Sequence, residues 1–399
     1  MDKFVALMAS LSVADTINRA PFGPFFLLAT VDALVGGAAW LPITGLTPDY
    51  GQMANSAADW HRSVLLFGMV PAILCGFLLT ALPRWTGKPR ASRKSVYSLL
   101  GLWLSSRVAS VVISPAVGIG LAAAFLMYLL ILAGGTVLAA RDVRSLKIVL
   151  LLGAFCCSAA FTASSYHVDL ALRMALAAIV GLMMIIGGRL VPALTLAYAE
   201  ARAGTFNTCR LGPIERGAAL AATVALVAWV AAPQQTATGA ACAAAALAQL
   251  FRAAQWRSWK SGASAVMALH IGYGWIVAGF VLLAVHVYAP AVLPQSVGIH
   301  AWMIGAMGTM GIAVMSSMVR RHSGRAYARS NLATSAFAFM TLSCVARLLA
   351  GLLPGDPTFW IASSGSLWVA AFGAFLMAYW RQMLQWPGHT MRNSRANTR

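Results

Sequence analysis

Runs of about 20 apolar residues recur twelve times along this chain, near 21–41, 61–83, 95–114, 116–139, 146–166, 169–196, 217–233, 237–259, 265–289, 296–319, 331–353 and 360–381. At 1.5 Å of rise per residue each run is long enough to cross the hydrocarbon core of a bilayer, and each predicts a transmembrane helix. Barrel strands are excluded on the same ground, since they would be about ten residues long and strictly alternating. The composition agrees: 60% of residues are hydrophobic and 10% charged, with a mean hydropathy of +0.76, well outside the range of soluble domains. The expected fold class is all-α, a polytopic transmembrane helical bundle of about twelve spans.

The connections test this partition. Two Lys or Arg precede the first run, five lie in 84–94, three between Arg141 and Lys147, three in 197–216, two in 257–264, four in 320–330 and four from Arg381 onward. The intervening connections, 42–60, 115, 167–168, 234–236, 290–295 and 354–359, hold none. By the positive-inside rule both termini are cytoplasmic, and this bias supplies most of the +19 formal charge. Seven scattered basic segments do not make a nucleic-acid face, and contact with the headgroups of membrane lipid explains them better. Residues 1–20 lack the pattern of a cleaved signal and are expected to lie along the inner surface, 21–386 form the membrane domain, and 387–399 are a polar tail. Any chemistry must sit inside the bundle.

Charge inside the bundle is costly, about 2.5–3.5 kcal/mol for an arginine at a helix centre, so each case needs a partner. Six arginines fall within the runs: Arg62, Arg107, Arg173, Arg189, Arg252 and Arg347. Arg62 and Arg252 lie near run ends and can snorkel, and Arg173 stands one turn after Asp169. Arg107, Arg189 and Arg347 sit deeper, where the one acidic residue well inside a run is Asp32. Helix carbonyls can satisfy part of this excess, and a bound anion such as the propionates of haem can satisfy more, because Arg pairs bidentately with carboxylates.

Alternating helix direction sorts the histidines by depth. His61 and His300 share the outer level with Arg107 and Arg347, whereas His270 and His322 share the inner level with Arg189. His167 and His286 stand at outer run ends and read as interfacial residues. In IHAWMIGAMGTM, at 299–310, His300 is followed at offsets of three, seven and ten by Met303, Met307 and Met310 on one helical face. Thioethers there can complete a Cu(I) site or fill packing gaps, and Gly305, Gly308 and Gly311 mark another face that permits close helix approach. The six cysteines include no C-x-x-C-H, so a haem would be held without covalent attachment. A haem–copper oxidase core is excluded: it needs six metal-site histidines with an adjacent pair, and the chain has seven in all and no His-His. The competing reading is a secondary transporter using the buried arginines for an anionic or amphipathic substrate.

Six segments, PFGPFFLLA at 21–29, WHRSVLLFG at 60–68, GFLLTALPRWTG at 76–87, GGRLVP at 187–192, ALHIGYGW at 268–275 and IHAWMIGAMGTMGIAVM with RHSGR at 299–325, occur in this order. Taken together they make the chain resemble the NnrS family of haem- and copper-containing inner-membrane proteins associated with the nitric-oxide response. The resemblance implies b-type haem held by histidines between helices, with copper as a second metal and nitric oxide as the small-molecule ligand. Read together with the depth levels and the methionine face, it makes His61, His270, His300, His322, Arg107, Arg189 and Arg347 the expected cofactor contacts, and His61 and His300 with Met303 and Met307 the expected metal donors. Two departures stand out. The family usually reads W-H-x-H-E where this chain has Trp60, His61, Arg62, Ser63 and Val64, and F-R-P-F-F where Gly23 replaces the arginine. The missing histidine implies one cofactor fewer, or Met303 or Met307 in its place.

Overall fold

Among the described residues, twelve long helices follow the twelve apolar runs. They are α1 (Phe22–Ala38), α2 (Ser63–Thr86), α3 (Arg93–Val112), α4 (Pro115–Ala140), α5 (Val143–Ala163), α6 (Val168–Ala203), α7 (Gly212–Ala231), α8 (Thr236–Ala254), α9 (Ser264–Tyr288), α10 (Gln295–His322), α11 (Asn331–Leu352) and α12 (Thr358–Leu384). The computed structural model describes residues 21–38, 41, 60–203, 212–324 and 329–384, so the expected N-terminal segment and polar tail lie outside the described residues. Eleven of these helices are long and apolar enough to cross a membrane, and α1, with 17 residues, is shorter.

Local chemistry sets the helix ends. The Ser92 side chain accepts from the Ser95 amide to start α3, Ser114 does the same for Val117 ahead of Pro115 in α4, and Asp142 accepts from Arg144 at the start of α5. Gly87 closes α2 at φ 68°, a left-handed position that favours glycine.

Packing order then decides which helices are central. α1 lies between α2 and α12; α12 packs on α11, α11 on α10 and α10 on α9. On the other side α2 meets α4, α4 meets α5, and α5 meets α6, which itself packs on α7 and α9. α2 and α10 are the most enclosed spans, with 83% and 78% of their most apolar stretch buried. Glycines permit the close crossings: Gly76 of α2 meets Phe22 and Phe26, while Gly272 and Gly279 of α9 meet Met310 and Trp302. Gly23 belongs to the same class. A Cβ there would fall 2.5 Å from the Met383 carbonyl, so the family's arginine has no room where α1 meets the end of α12.

The two central helices share a backbone feature. Each changes to a π-helix immediately after a histidine, over Arg62–Met69 following His61 and over Ala301–Gly308 following His300. Such widened turns are rare and tend to occur at functional sites. In α2 the loosened carbonyls are held from α3, where Arg107 Nη1 donates to Ser63 O (2.6 Å) and Trp103 Nε1 to Gly68 O (2.9 Å). In α10 the widened turn is packed by neighbours instead, Trp275 and Cys344 lying against Gly305 and Met340 against Gly308.

Candidate cofactor site between α2 and α10

The widened halves of α2 and α10 face one cavity of about 710 Å³, within the range of small-molecule and cofactor sites. His61, Leu65 and Met69 line it from α2; His300, Met303 and Met307 line it from α10. The spacing repeats: histidine, then residues one and two turns inward. Arg347 of α11 and Arg173 and Asp169 of α6 add the charged part of the wall, and Gly36, Gly37 and Trp368 close it toward α1 and α12. The structure thus brings together five residues singled out in the sequence, His61, His300, Met303, Met307 and Arg347. It adds Met69, two turns inward of His61 on α2, which the sequence reading did not single out because it followed the methionine stripe of α10 alone.

His300 is oriented as a ligand would be. Its Nδ1 lies 2.6 Å from the Ser296 carbonyl one turn back; a carbonyl only accepts, so Nδ1 carries the proton and Nε2 keeps the lone pair. Anchoring one ring nitrogen to a carbonyl while the other takes the metal is the usual support of a ligating histidine. Arg347 lines the same cavity, with no ion pair among the described residues.

Arg107 is placed differently. It does not line the cavity: besides the Ser63 carbonyl its guanidinium reaches the Ser106 hydroxyl (3.2 Å), the Phe67 carbonyl (3.5 Å) and the Asp32 carboxylate (3.8 Å). The deep charge at Arg107 is therefore answered by helix carbonyls and by Asp32. Neither position 63 nor position 64 lines the cavity. Ser63 Oγ meets Ser110 Oγ at 2.8 Å on α3, and Val64 packs against Gly36 on α1. The departure from the family pattern at Ser63 and Val64 thus leaves the residues lining the cavity intact.

At the other end of the bundle the expected pairing of His270 with His322 is not met. Gly272 faces Met310 and Gly279 faces Trp302, so the antiparallel register of α9 and α10 sets His270 near residue 312. His322 lies about ten residues, roughly 15 Å, farther along. His270 packs between the rings of Trp256 and Trp259. His322 takes Arg84 at Nε2 (2.8 Å), meets the Met318 carbonyl through Nδ1 (2.8 Å) and stacks near Phe22. Arg189 donates to Arg144 O (2.6 Å) and Ser145 Oγ (3.1 Å) and lies over Trp85.

Four sequence expectations are corrected by side-chain packing. Arg252 does not snorkel: it is 8% exposed, paired with Glu215 at 2.5 Å and bonded to Tyr273 Oη (2.6 Å), with Tyr273 in turn bonded to Gln249. Gly188 makes the space, since a Cβ there would meet the Arg252 guanidinium. Arg173 sends Nε to the Val230 carbonyl (3.1 Å) and not to Asp169. Arg320, counted above among the loop cations, is buried within α10. His286 is buried as well, its Nδ1 donating to Leu293 O (2.8 Å) across the turn into α10, whereas His167 is exposed against Tyr166. The side chain of Arg62 lies outside the described residues.

No curated protein matches the chain. Among the described residues no group of three His, Cys, Asp or Glu comes together as a metal site, so the histidines and thioethers of the α2–α10 cavity are the soft donors that the fold gathers. This bundle, with its histidine-headed π-helical spans, carries a family signature along nearly its whole length: the chain belongs to the NnrS protein family, whose sequence profile matches residues 16–386, and so to the multi-pass membrane proteins of the nitric-oxide response.

Proposed function

We propose that the α2–α10 cavity holds one b-type haem and that the protein acts in nitric-oxide tolerance in the bacterial inner membrane. The observation that carries this reading is the pinned ring of His300, its Nδ1 proton on Ser296 O, in a cavity of sufficient volume that His61 also lines. His300, through Nε2, would hold the haem iron, and His61 would be the second nitrogen donor lining the same cavity. Arg347 would hold a propionate, since a guanidinium pairs bidentately with a carboxylate and the pair would neutralise the buried cation. Apolar side chains such as Leu65, Leu66, Ile299 and Ile304 exclude water from the rest of the wall. Bound ferrous haem supplies a site at which nitric oxide coordinates, as does a cuprous ion.

His61, Met69, Met303 and Met307 also form a soft donor set suited to Cu(I). Haem and copper would both draw on His61, so the cavity takes one or the other. Expression with ample haem precursor and copper, followed by a visible spectrum and metal analysis of purified protein, tests the assignment. About one haem per chain is expected. Protein that is colourless and metal-free would overturn it in favour of a carrier whose anionic substrate sits on Arg347.

A further inference from the structure

A second cavity, of about 860 Å³, lies between α5, α6 and α7 and takes no part in the site just described. α5 and α7 each pack on α6, and the cavity runs between them along the α6 face. Its two ends differ. One end is lined by Arg144, Lys147 and Arg216, in or beside connections of the basic side of the bundle, and by Arg189 farther along α6. The remainder is apolar, built from residues such as Leu151, Met174, Gly181, Ala222, Leu226 and Val230. From Glu215 to Ala231, both in its wall, α7 rises about 24 Å.

The charges at the basic end are only partly compensated among the described residues. Glu215, the one acidic residue of the wall, is already paired with Arg252. Asp142, just outside, accepts from the backbone of Arg144. Arg189 is fixed by Ser145, the Arg144 carbonyl and Trp85. Arg144, Lys147 and Arg216 are exposed, and each forms no ion pair among the described residues. A cluster of cations at one end of a long apolar groove between helices is complementary to one class of molecule, a phosphate headgroup bearing acyl chains.

We infer that this groove is a binding site for an anionic phospholipid, its phosphate held by Arg144, Lys147 and Arg216 and its acyl chain laid along α6 between α5 and α7. The site is distinct from generic headgroup contact because the chain, as well as the charge, has a place in the fold.

Native mass spectrometry of the full-length protein, extracted from nanodiscs containing phosphatidylglycerol and phosphatidylcholine, tests it. Wild type should retain phosphatidylglycerol selectively. The triple change Arg144→Gln, Lys147→Gln and Arg216→Gln should weaken retention about a hundredfold, from about 1 kcal/mol per basic residue. Arg144→Lys with Arg216→Lys should keep it. Thr223→Trp, which fills the groove from α7 and leaves every charge and the membrane topology unchanged, should also abolish retention. Equal retention of both lipids by wild type, or unchanged retention in Thr223→Trp, would overturn the proposal, the second outcome meaning that only surface charge is at work. Displacement of the lipid by millimolar inorganic phosphate would overturn it too, since a site for the anion alone has no use for the groove.

Discussion

α2 and α10 enter the central cavity in the same way, yet the two halves are stabilised by different means. After His61 the widened turns of α2 are held by polar bonds from α3, through Arg107 and Trp103. After His300 those of α10 are packed by Trp275, Cys344 and Met340 against glycines, and the histidine itself is fixed from its own helix by Ser296. The difference separates two arginines that share a depth in the sequence. Arg107 is part of the scaffold that keeps α2 open, and Arg347 is the cation that faces the cavity.

The comparison is broken most directly at Arg107. Arg107→Leu removes charge-assisted bonds to carbonyls, each worth about 1.5–3 kcal/mol, and leaves Asp32 without its cation. A loss on the order of 3 kcal/mol is expected, read from unfolding in mixed micelles, with partial rescue by Asp32→Asn. A variant that folds normally but fails to retain haem would instead return Arg107 to the cofactor site.

Next in size is His300→Ala, for which haem per folded chain should fall at least about tenfold while the unfolding midpoint of cofactor-free protein changes little. If the pyridine haemochrome yield is unchanged, α10 does not supply the ligand, and the likeness between the two histidine-headed helices is only a matter of backbone.

Arg347→Leu should weaken haem retention by about tenfold, the lower end of a charge-assisted contact, without loss of fold. Competition with apomyoglobin for bound haem measures this, and faster unfolding in place of faster haem loss would place Arg347 beside Arg107 as a scaffold residue.

The smallest effects are expected at the thioethers and at the basic end. Met303→Leu with Met307→Leu conserves volume and should leave haem content within about twofold. Loss of copper in that variant, with haem intact, would show that the methionines ligate. His322→Ala breaks a partly exposed contact with Arg84 and should cost no more than about 1 kcal/mol, with haem content unchanged.

How far the site was legible follows the same division. His61, His300 and Arg347 could be grouped from sequence because depth in a bilayer is set by helix length and direction, which are local properties. The grouping of His270 with His322 failed because position within a run fixes depth only coarsely: the register of α9 against α10, decided by where Gly272 and Gly279 admit Met310 and Trp302, sets the two histidines about ten residues apart. Arg252 misled for a related reason. Its position near a helix end suggested snorkelling, but Gly188 opens a space on α6 that draws the side chain inward to Glu215 and Tyr273.

By itself the sequence determined the class of the molecule, its spans and their alternation, because hydrophobic length and loop charge act on each segment separately. It also placed the histidine-headed runs that lead into the cavity. Only the tertiary structure decided which arginine is scaffold and which lines the cavity, that Met69 joins the cavity, and that Ser63 turns away from it. Those outcomes depend on π-helical turns and on glycine-sized gaps between helices far apart in the chain. Neither leaves a periodic trace that one segment could show alone.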